Sequence, residues 1–597
     1  MTEQNTQTPP PSGGQFLLDR VGTHAIFTPD DFTPDELAIG RTAEEFLEKE
    51  VMPFVEQMEK KDYDRLLKAF RKAGELGFFM ASIPEKWGGL GLPKRVSLLI
   101  SEKLAGYGSF SVTHGAHCGI GTLPIVYFGT PDQKERYLPQ LATGERIGAY
   151  ALSEPGSGSD ALSAKTTAVL NKEGTHFVVN GTKQWISNGA FADVFTVFCQ
   201  VVDPDGSSHF SALIIDRDTA GFDTGPEEHK LGLRGSSTTA LIFEDALVPV
   251  GNLLGTKGRG HEIAFNILNV GRYTLAVSTT GGARHGLKNA ISYASERKQF
   301  GRPIIEFGAL RLKVATAAAE IYAMESLSYR IGGLTDAMRH SSTDWSEDAP
   351  GTVQMAPIEE YAIEASIGKV YCSEAVNRVV SEYLQMYGGY GYVEDYPAER
   401  AFRDARINMI FEGTNEINRL LIPGMLLKRA LKGRLPLMDW LGSLAGGPGD
   451  SGTGPLASEV NAVQRFKGIT GTVLGAAAMR YMKELEQHQQ LLLLLSELVI
   501  DCYMIDSVVA RSLQRHEKGL ETEVSDAITR VLVAEVAHRS RVNAHTAICS
   551  FVEGPALEKL QRQLRRWEFL PTTNLVAERN VIADATIRAG RYNQSPT

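Results

Sequence analysis

Apolar residues recur at helical spacing over residues 35–107, in stretches such as 43–50 and 63–76, punctuated by Pro53, Pro84 and the Trp87-Gly88-Gly89 turn. Short helices continue over 111–141. Between 147 and 250 the period drops to two: Phe177-Val178-Val179, residues 194–202 and Ala212-Leu213-Ile214-Ile215 read as strands separated by Gly, Asn and Asp turns. Helical spacing then returns and holds to residue 433, with segments at 272–298, 310–338 and 358–387 long enough for a bundle. The Gly/Pro/Ser run at 441–454 breaks the pattern, 456–547 is again helical, and a shorter helix covers 557–567. The pattern predicts a mainly α chain with an inserted β domain. Its parts are a disordered tail (1–30), an N-terminal helical domain (31–146), a middle β domain (147–257), a helical bundle (258–433), a linker (434–457) and a C-terminal helical domain (458–597).

Length agrees, since 597 residues allow about four domains. With 43% apolar and 22% charged residues most of the chain can bury a core. The net charge of −10 disfavours a nucleic-acid backbone as partner. Five scattered cysteines without a CxxC pair suggest neither a disulfide framework nor a thiolate metal site, which fits a reducing compartment. The polar, Pro-rich start carries no targeting pattern, so the expectation is a cytoplasmic protein. The most apolar window, 491–505, carries Glu497 and Asp501 and is shorter than the about 20 apolar residues of a membrane span; it reads as a buried helix.

Several segments could carry chemistry. Glu154-Pro-Gly-Ser-Gly-Ser-Asp160 is the densest Gly/Ser loop, but Gly156-x-Gly158-x-x-Ala161 is followed by a strand rather than a helix, which argues against a dinucleotide-binding turn. Between two strands such a loop still offers N–H groups and hydroxyls to a phosphate or a flat polar ring, or it is an ordinary turn. Trp185-Ile186-Ser187 sets an indole beside a hydroxyl, suited to a planar cofactor or to a core. Arg297 ends a long helix, where a cation is favoured with or without a phosphate. Glu412 follows an apolar run and precedes a glycine, where burial would raise its pKa toward that of a usable base; otherwise it is a surface residue. His114 and His117 lack a third ligand at recognisable spacing and read as packing residues, so no metal is expected.

In order along the chain, Tyr150-Ala-Leu-Ser-Glu-Pro-Gly-Ser-Gly-Ser-Asp160, Asn180-Gly-Thr-Lys-Gln-Trp-Ile-Ser-Asn-Gly189, Arg297-Lys-Gln-Phe-Gly301, Gln385-Met-Tyr-Gly-Gly-Tyr-Gly-Tyr392, Arg403-Asp-Ala-Arg406 and Phe411-Glu-Gly-Thr-Asn-Glu-Ile417 resemble the signatures of the acyl-CoA dehydrogenase flavoenzymes. The resemblance covers residues 34–433 and implies that family's fold, an N-terminal helical domain, a β-barrel-like middle domain and a helical bundle, with FAD as cofactor. Tyr150, Leu152, Ser153, Gly158, Ser159, Trp185, Ile186 and Ser187 would line the flavin, with Ser153 bonding its ring. Arg297, Phe300, Gln385, Gly388 and Gly389 would reach the FAD of a neighbouring subunit, and Thr414, Asn415 and Glu416 would close the site. The family often has Gln where this chain has Glu416. Ser159, Asn269, Arg272, Phe411 and Gly413 would contact substrate.

The chemistry so implied is α,β-dehydrogenation: Glu412 takes the α-proton of an acyl-CoA as the β-hydride moves to the flavin, giving a trans-2-enoyl-CoA in fatty acid β-oxidation. The Glu412 N–H and a ribityl hydroxyl would stabilise the developing enolate. Some members carry the base at the position of Gly271, which cannot serve here. Electrons would pass to an electron-transfer flavoprotein. The small residues of Ser111-Val-Thr-His-Gly115-Ala116-His-Cys-Gly119-Ile-Gly121 imply a deep acyl pocket, with Val112 and Ala116 where shorter-chain relatives place larger polar groups. Close helix packing through glycine would account for the same composition. The segment past residue 433 resembles the very-long-chain branch, which implies a homodimer and peripheral membrane contact through that domain. Arg562, Arg565, Arg566 and Trp567 form the cluster that would touch the membrane, or a solvated helix face. An acyl-CoA oxidase, and a related flavoprotein with an assembly or nucleic-acid-binding role, are the rival readings.

Overall fold

The computed structural model describes residues 9–449 and 452–596. Helices fill the first part of the chain. The helix Pro34–Phe46 starts where the sequence says it should: Thr33 caps it, Glu36 closes a reciprocal capping box, and proline takes the first turn. Thr130 and Gln133 do the same for Pro131–Thr143. The chain then enters an eight-stranded sheet. Its first strand, Gly148–Ala151, pairs in parallel with the mostly apolar Val194–Val202, which pairs antiparallel with Ser208–Asp216. The long strands His176–Ser187 and Thr238–Pro249 pair antiparallel beside them.

Three long helices follow, Gly260–Glu296, Gly308–Ser341 and Ala362–Tyr387, and then Asn415–Leu431. The C-terminal segment adds Ala457–Tyr481, Gln489–Glu517, Glu523–Cys549, Gly554–Trp567 and Leu575–Ala589. Two apolar cores result. One joins the N-terminal helices to one face of the sheet through residues such as Phe70, Phe110, Phe195 and Leu213. The other runs without a break from the bundle into the C-terminal helices through Ile321, Met324, Tyr503 and Val508, so that last segment is fused to the bundle rather than tethered to it.

Three expectations change. The tail assigned to 1–30 is packed beyond its first residues: Phe16 and Leu17 are buried, the Phe16 ring lies 4.7 Å from that of Tyr503, and Gly13 and Gly14 donate to Glu360 and Glu364. The polar opening masked the apolar Phe16, Leu17, Val21 and Ile26, which find a surface only once the C-terminal helices are in place. Residues 1–8 lie outside the described residues. Within the 434–457 linker, Leu437–Ser443 is a helix whose Trp440 fills the space over Gly471, and residues 450 and 451 lie outside the described residues. Trp567 is only 6% exposed and packs on Gly468, so it is a core residue and not a membrane anchor; Arg562, Arg565 and Arg566 face solvent around it. Among the described residues no helix is long and apolar enough to cross a membrane.

Candidate active site

Glu412 lies in the turn ahead of the helix Asn415–Leu431, whose N-cap Thr414 accepts from the Ile417 N–H at 3.3 Å. Glu412 has φ +58° and Gly413 φ +80°, a left-handed pair that only strong local bonding holds for a glutamate. That bonding is present. The Glu412 carbonyl accepts from Arg272 Nε at 3.3 Å and Asn418 Nδ2 at 3.4 Å, and Asn418 also donates to the Gly413 and Thr414 carbonyls at 2.8 and 3.1 Å. The loop is therefore fixed by its backbone, which leaves the carboxyl group free. Glu412 is partly exposed as a residue, yet its Oε2 is buried and has no hydrogen-bond partner among the described residues. Burial pushes its pKa up to about 7 against the pull of Arg272 and Lys369. An unpartnered carboxylate poised near neutrality suits a general base.

Gly271 faces it. A Cβ at Gly271 would stand 2.3 Å from Glu412 Oε2, so the carboxyl group occupies the space a side chain there would take. The two chain positions considered for the base converge on one point.

A cavity of about 200 Å³ opens from Glu412 and Gly271. It follows the helix Gly260–Glu296 past Leu275, Ser278 and Gly282 to His285, and its opposite wall is Val112, Gly115, Ala116 and Gly119. The chain from Ala116 to Gly121 winds as a wide, π-type turn. A Cβ added to Gly115 or Gly119 would meet nothing within 4 Å, whereas one on Gly121 would strike the Gly148 backbone at 2.7 Å. Only the last of these glycines serves packing; the first two leave volume in the cavity.

On the β domain, Trp185 is 59% exposed with φ +60°, Ser187 lines the cavity and Ile186 turns into the core. Leu152 and Tyr150 are buried, and the Tyr150 hydroxyl donates to the Ala264 carbonyl at 3.3 Å. The Ser153 carbonyl accepts from the Gln184 N–H at 2.9 Å, tying the Gly/Ser loop to the Trp185 strand. Glu154 anchors the loop. Its carboxylate accepts from the Lys165 and Thr166 N–H groups at 2.6 and 3.0 Å and from the fully buried Lys183 ammonium at 2.7 Å. A buried pair of this kind, with its lone pairs satisfied, is costly to break from one side. Gly156 and Gly158 have open space above them and Ser159 is exposed. An exposed indole, a hydroxyl and an open Gly/Ser loop on one face fit a flat ring with polar edges such as a flavin.

Other expected residues lie elsewhere. Arg297, Phe300, Gln385, Gly388, Gly389 and Glu416 are exposed and none lines the Glu412 cavity. Phe300 is 92% exposed at the tip of the hairpin Lys298–Pro303, and the Arg297 guanidinium sits 5.5 Å over the Tyr390 ring. Asn415 is turned inward: its Oδ1 accepts from Lys369 Nζ at 2.6 Å and its Nδ2 donates to Glu374 at 2.9 Å, so its side chain braces the loop. Phe411 lines the cavity and Gly413 does not. Asn269 and Arg272 are both buried and bonded to each other at 2.8 Å. His117 bridges the Leu141 carbonyl and the Gly148 N–H at 2.9 Å each, which engages both ring nitrogens and joins the helices to the first strand.

Lys369 carries no sequence signal, and nothing in the motifs that hold Glu154 and Lys183 shows that the two side chains pair. Lys369 reads as a surface residue within the helix Ala362–Tyr387, but it is buried, and burial pushes its pKa down to about 7 while Glu412 pulls it up.

The family models for the N-terminal, middle and C-terminal domains of acyl-CoA dehydrogenase match residues 33–145, 149–246 and 258–426, and a further model of the same C-terminal description matches 465–566. A probable acyl-CoA dehydrogenase of Bacillus subtilis is 44% identical, covering 97% of this chain and 98% of that protein. The mitochondrial very long-chain specific acyl-CoA dehydrogenase of Macaca fascicularis is 34% identical over 88% of this chain and 84% of its own. The crystal structure of an acyl-CoA dehydrogenase complexed with FAD from Bacillus anthracis superposes with a TM-score of 0.94 at 44% identity, covering 98% of this chain and all (100%) of that one.

Proposed function

The chain belongs to the acyl-CoA dehydrogenase family and is an FAD-dependent oxidoreductase; from that premise we propose that it converts long- or very-long-chain acyl-CoA to trans-2-enoyl-CoA in fatty acid β-oxidation. The observation that carries the reading is the free Glu412 carboxyl group at the head of a mainly apolar cavity, one wall of which is Val112, Gly115, Ala116 and Gly119.

In this reading Glu412 Oε2 accepts the α-proton. Its left-handed backbone and the Arg272 and Asn418 bonds hold the group still, and the cavity walls keep water from competing for it. Trp185, Ser187 and the 154–160 loop would hold the ring of FAD, which supplies the hydride acceptor when bound. Fourteen residues of helix separate Gly271 from His285 along the cavity, about 21 Å at 1.5 Å per residue. A bilayer core of about 30 Å is filled by two opposed acyl chains, about 15 Å each, so a cavity of this length is on the scale of a long acyl chain. Each methylene buried there contributes about 0.8 kcal/mol, which favours longer substrates.

Electron-transfer flavoprotein is the proposed acceptor. A homodimer accounts for the nearly bare Phe300, beside Arg297, Gln385, Gly388 and Gly389, as a surface for a second copy's cofactor. The exposed Arg562, Arg565 and Arg566 would give the C-terminal domain its peripheral membrane contact in a cytoplasmic protein. Glu412→Gln is expected to retain FAD and to abolish bleaching of the flavin by palmitoyl-CoA under anaerobic conditions; rapid bleaching in that variant removes Glu412 from the role of base.

A further inference from the structure

Arg419, one turn into the helix that follows the base loop, is gripped from two domains. Its Nη1 and Nη2 donate to the two carboxyl oxygens of Glu374 at 2.6 and 2.9 Å, in the bundle helix Ala362–Tyr387. Its Nε donates to Glu497 Oε1 at 2.6 Å, and its carbonyl accepts from Ser496 Oγ. Both of those residues belong to Gln489–Glu517 of the C-terminal domain.

The bonding continues inward. Glu374 Oε1 also accepts from Asn415 Nδ2 at 2.9 Å, and Asn415 Oδ1 accepts from Lys369 Nζ at 2.6 Å and Ser373 Oγ at 3.2 Å. Asn415 and Asn418 flank the first turn of the same helix, and Asn418 clamps the carbonyls of residues 412–414. A line of hydrogen bonds thus joins Glu497 through Arg419 and Glu374 to Asn415, the first residue of the helix, whose first turn also carries the Asn418 clamp on the base loop. An isolated, partly exposed ion pair contributes little, but Arg419 makes a bidentate pair plus two further bonds, and such networks fix geometry more than their single members do.

We propose that Ser496 and Glu497, supplied by the C-terminal helical domain, are positioning residues for dehydrogenation: they fix Arg419 and, through Glu374 and Asn415, the first helix turn whose Asn418 holds the Glu412 loop. The domain beyond the bundle then completes the base's support, besides adding mass to the fold. One of the two readouts below rests on the long-chain reading and the other does not.

The test uses the FAD-loaded full chain and its Glu497→Gln variant. Amide exchange over residues 411–418 is expected to rise on the order of tenfold in the variant, an opening cheaper by about 1.4 kcal/mol. Flavin reduction by palmitoyl-CoA should slow on the order of tenfold, as for a base displaced by a fraction of an ångström, with the half-saturating substrate concentration unchanged. Exchange that rises only within 489–517, or not at all, overturns the proposal, because a merely structural anchor would loosen its own helix alone. Where Glu497→Gln does not fold, Ser496→Ala severs the other bond from the same domain and is held to the same outcomes. If the parent protein is not bleached by palmitoyl-CoA, the long-chain reading fails and the exchange measurement decides the positioning role by itself.

Discussion

Glu412 and Lys369 are two groups of opposite charge whose burial drives their pKa values toward each other, both to about 7. Each stabilises the ionised form of the other, so the observed titration belongs to the pair. The sign for activity follows from the base. Below this range Glu412 holds a proton and cannot accept another; above it the carboxylate is available. The rate of flavin reduction at saturating palmitoyl-CoA is therefore expected to rise through about pH 7, measured by anaerobic stopped flow. Lys369→Met should move the midpoint upward, because the ammonium group lowers the Glu412 pKa. A flat profile between about pH 6 and 8, the window set by a shift of this size, would show that the carboxyl group keeps an ordinary pKa. Of this pair only Glu412 was legible along the chain, through its apolar approach and the glycine after it. Lys369 lies more than forty residues away and becomes relevant only where its helix passes under the loop.

At the level of elements, the 108–121 segment lines the cavity proposed to hold the acyl chain. Its composition allowed two accounts, close packing or an open pocket, and the geometry divides them between glycines: Gly121 packs on the sheet while Gly115 and Gly119 border empty volume. Gly119→Leu is expected to fill the cavity without disturbing a neighbour. Its turnover of palmitoyl-CoA should fall strongly, while that of butyryl-CoA, whose few methylenes lie near Glu412, is retained. At about 0.8 kcal/mol per methylene, excluding four of them costs about 3 kcal/mol, a factor of more than one hundred in kcal/mol terms of 1.4 per tenfold. Equal loss for both chain lengths would mean that the glycine serves the fold instead. The strand–loop–strand unit around Glu154 was legible as a turn, but its anchor was not, because Lys183 sits in a strand that reads as half exposed.

Across the whole molecule, the C-terminal tail is locked into the bundle by a buried acid. Glu325 accepts from Arg284 at 2.5 Å, Arg511 at 3.0 Å, the Tyr592 hydroxyl at 2.7 Å and Ser595 Oγ at 2.6 Å. Tyr592→Phe removes one donor to a fully buried charge and is expected to destabilise the protein by about 1.5–3 kcal/mol, seen as a lower Tm with FAD content retained. An unchanged Tm would show that the remaining donors suffice. This lock, the Arg419 bonds and the burial of Phe16 are all consequences of one fact: the bundle and the C-terminal helices share a core. The sequence by itself determined the order of helical, β and helical segments, because hydrophobic period is a local property, and it determined the family and singled out Glu412 as the candidate base, because those motifs are contiguous. It could not determine that residues 16–30 are packed, that Trp567 is buried, or that Lys369, Arg419 and Glu497 converge on the Glu412 loop. Each of those depends on which surfaces meet after the chain has closed, and desolvation and pairing of charges are set by that meeting rather than by neighbours along the chain.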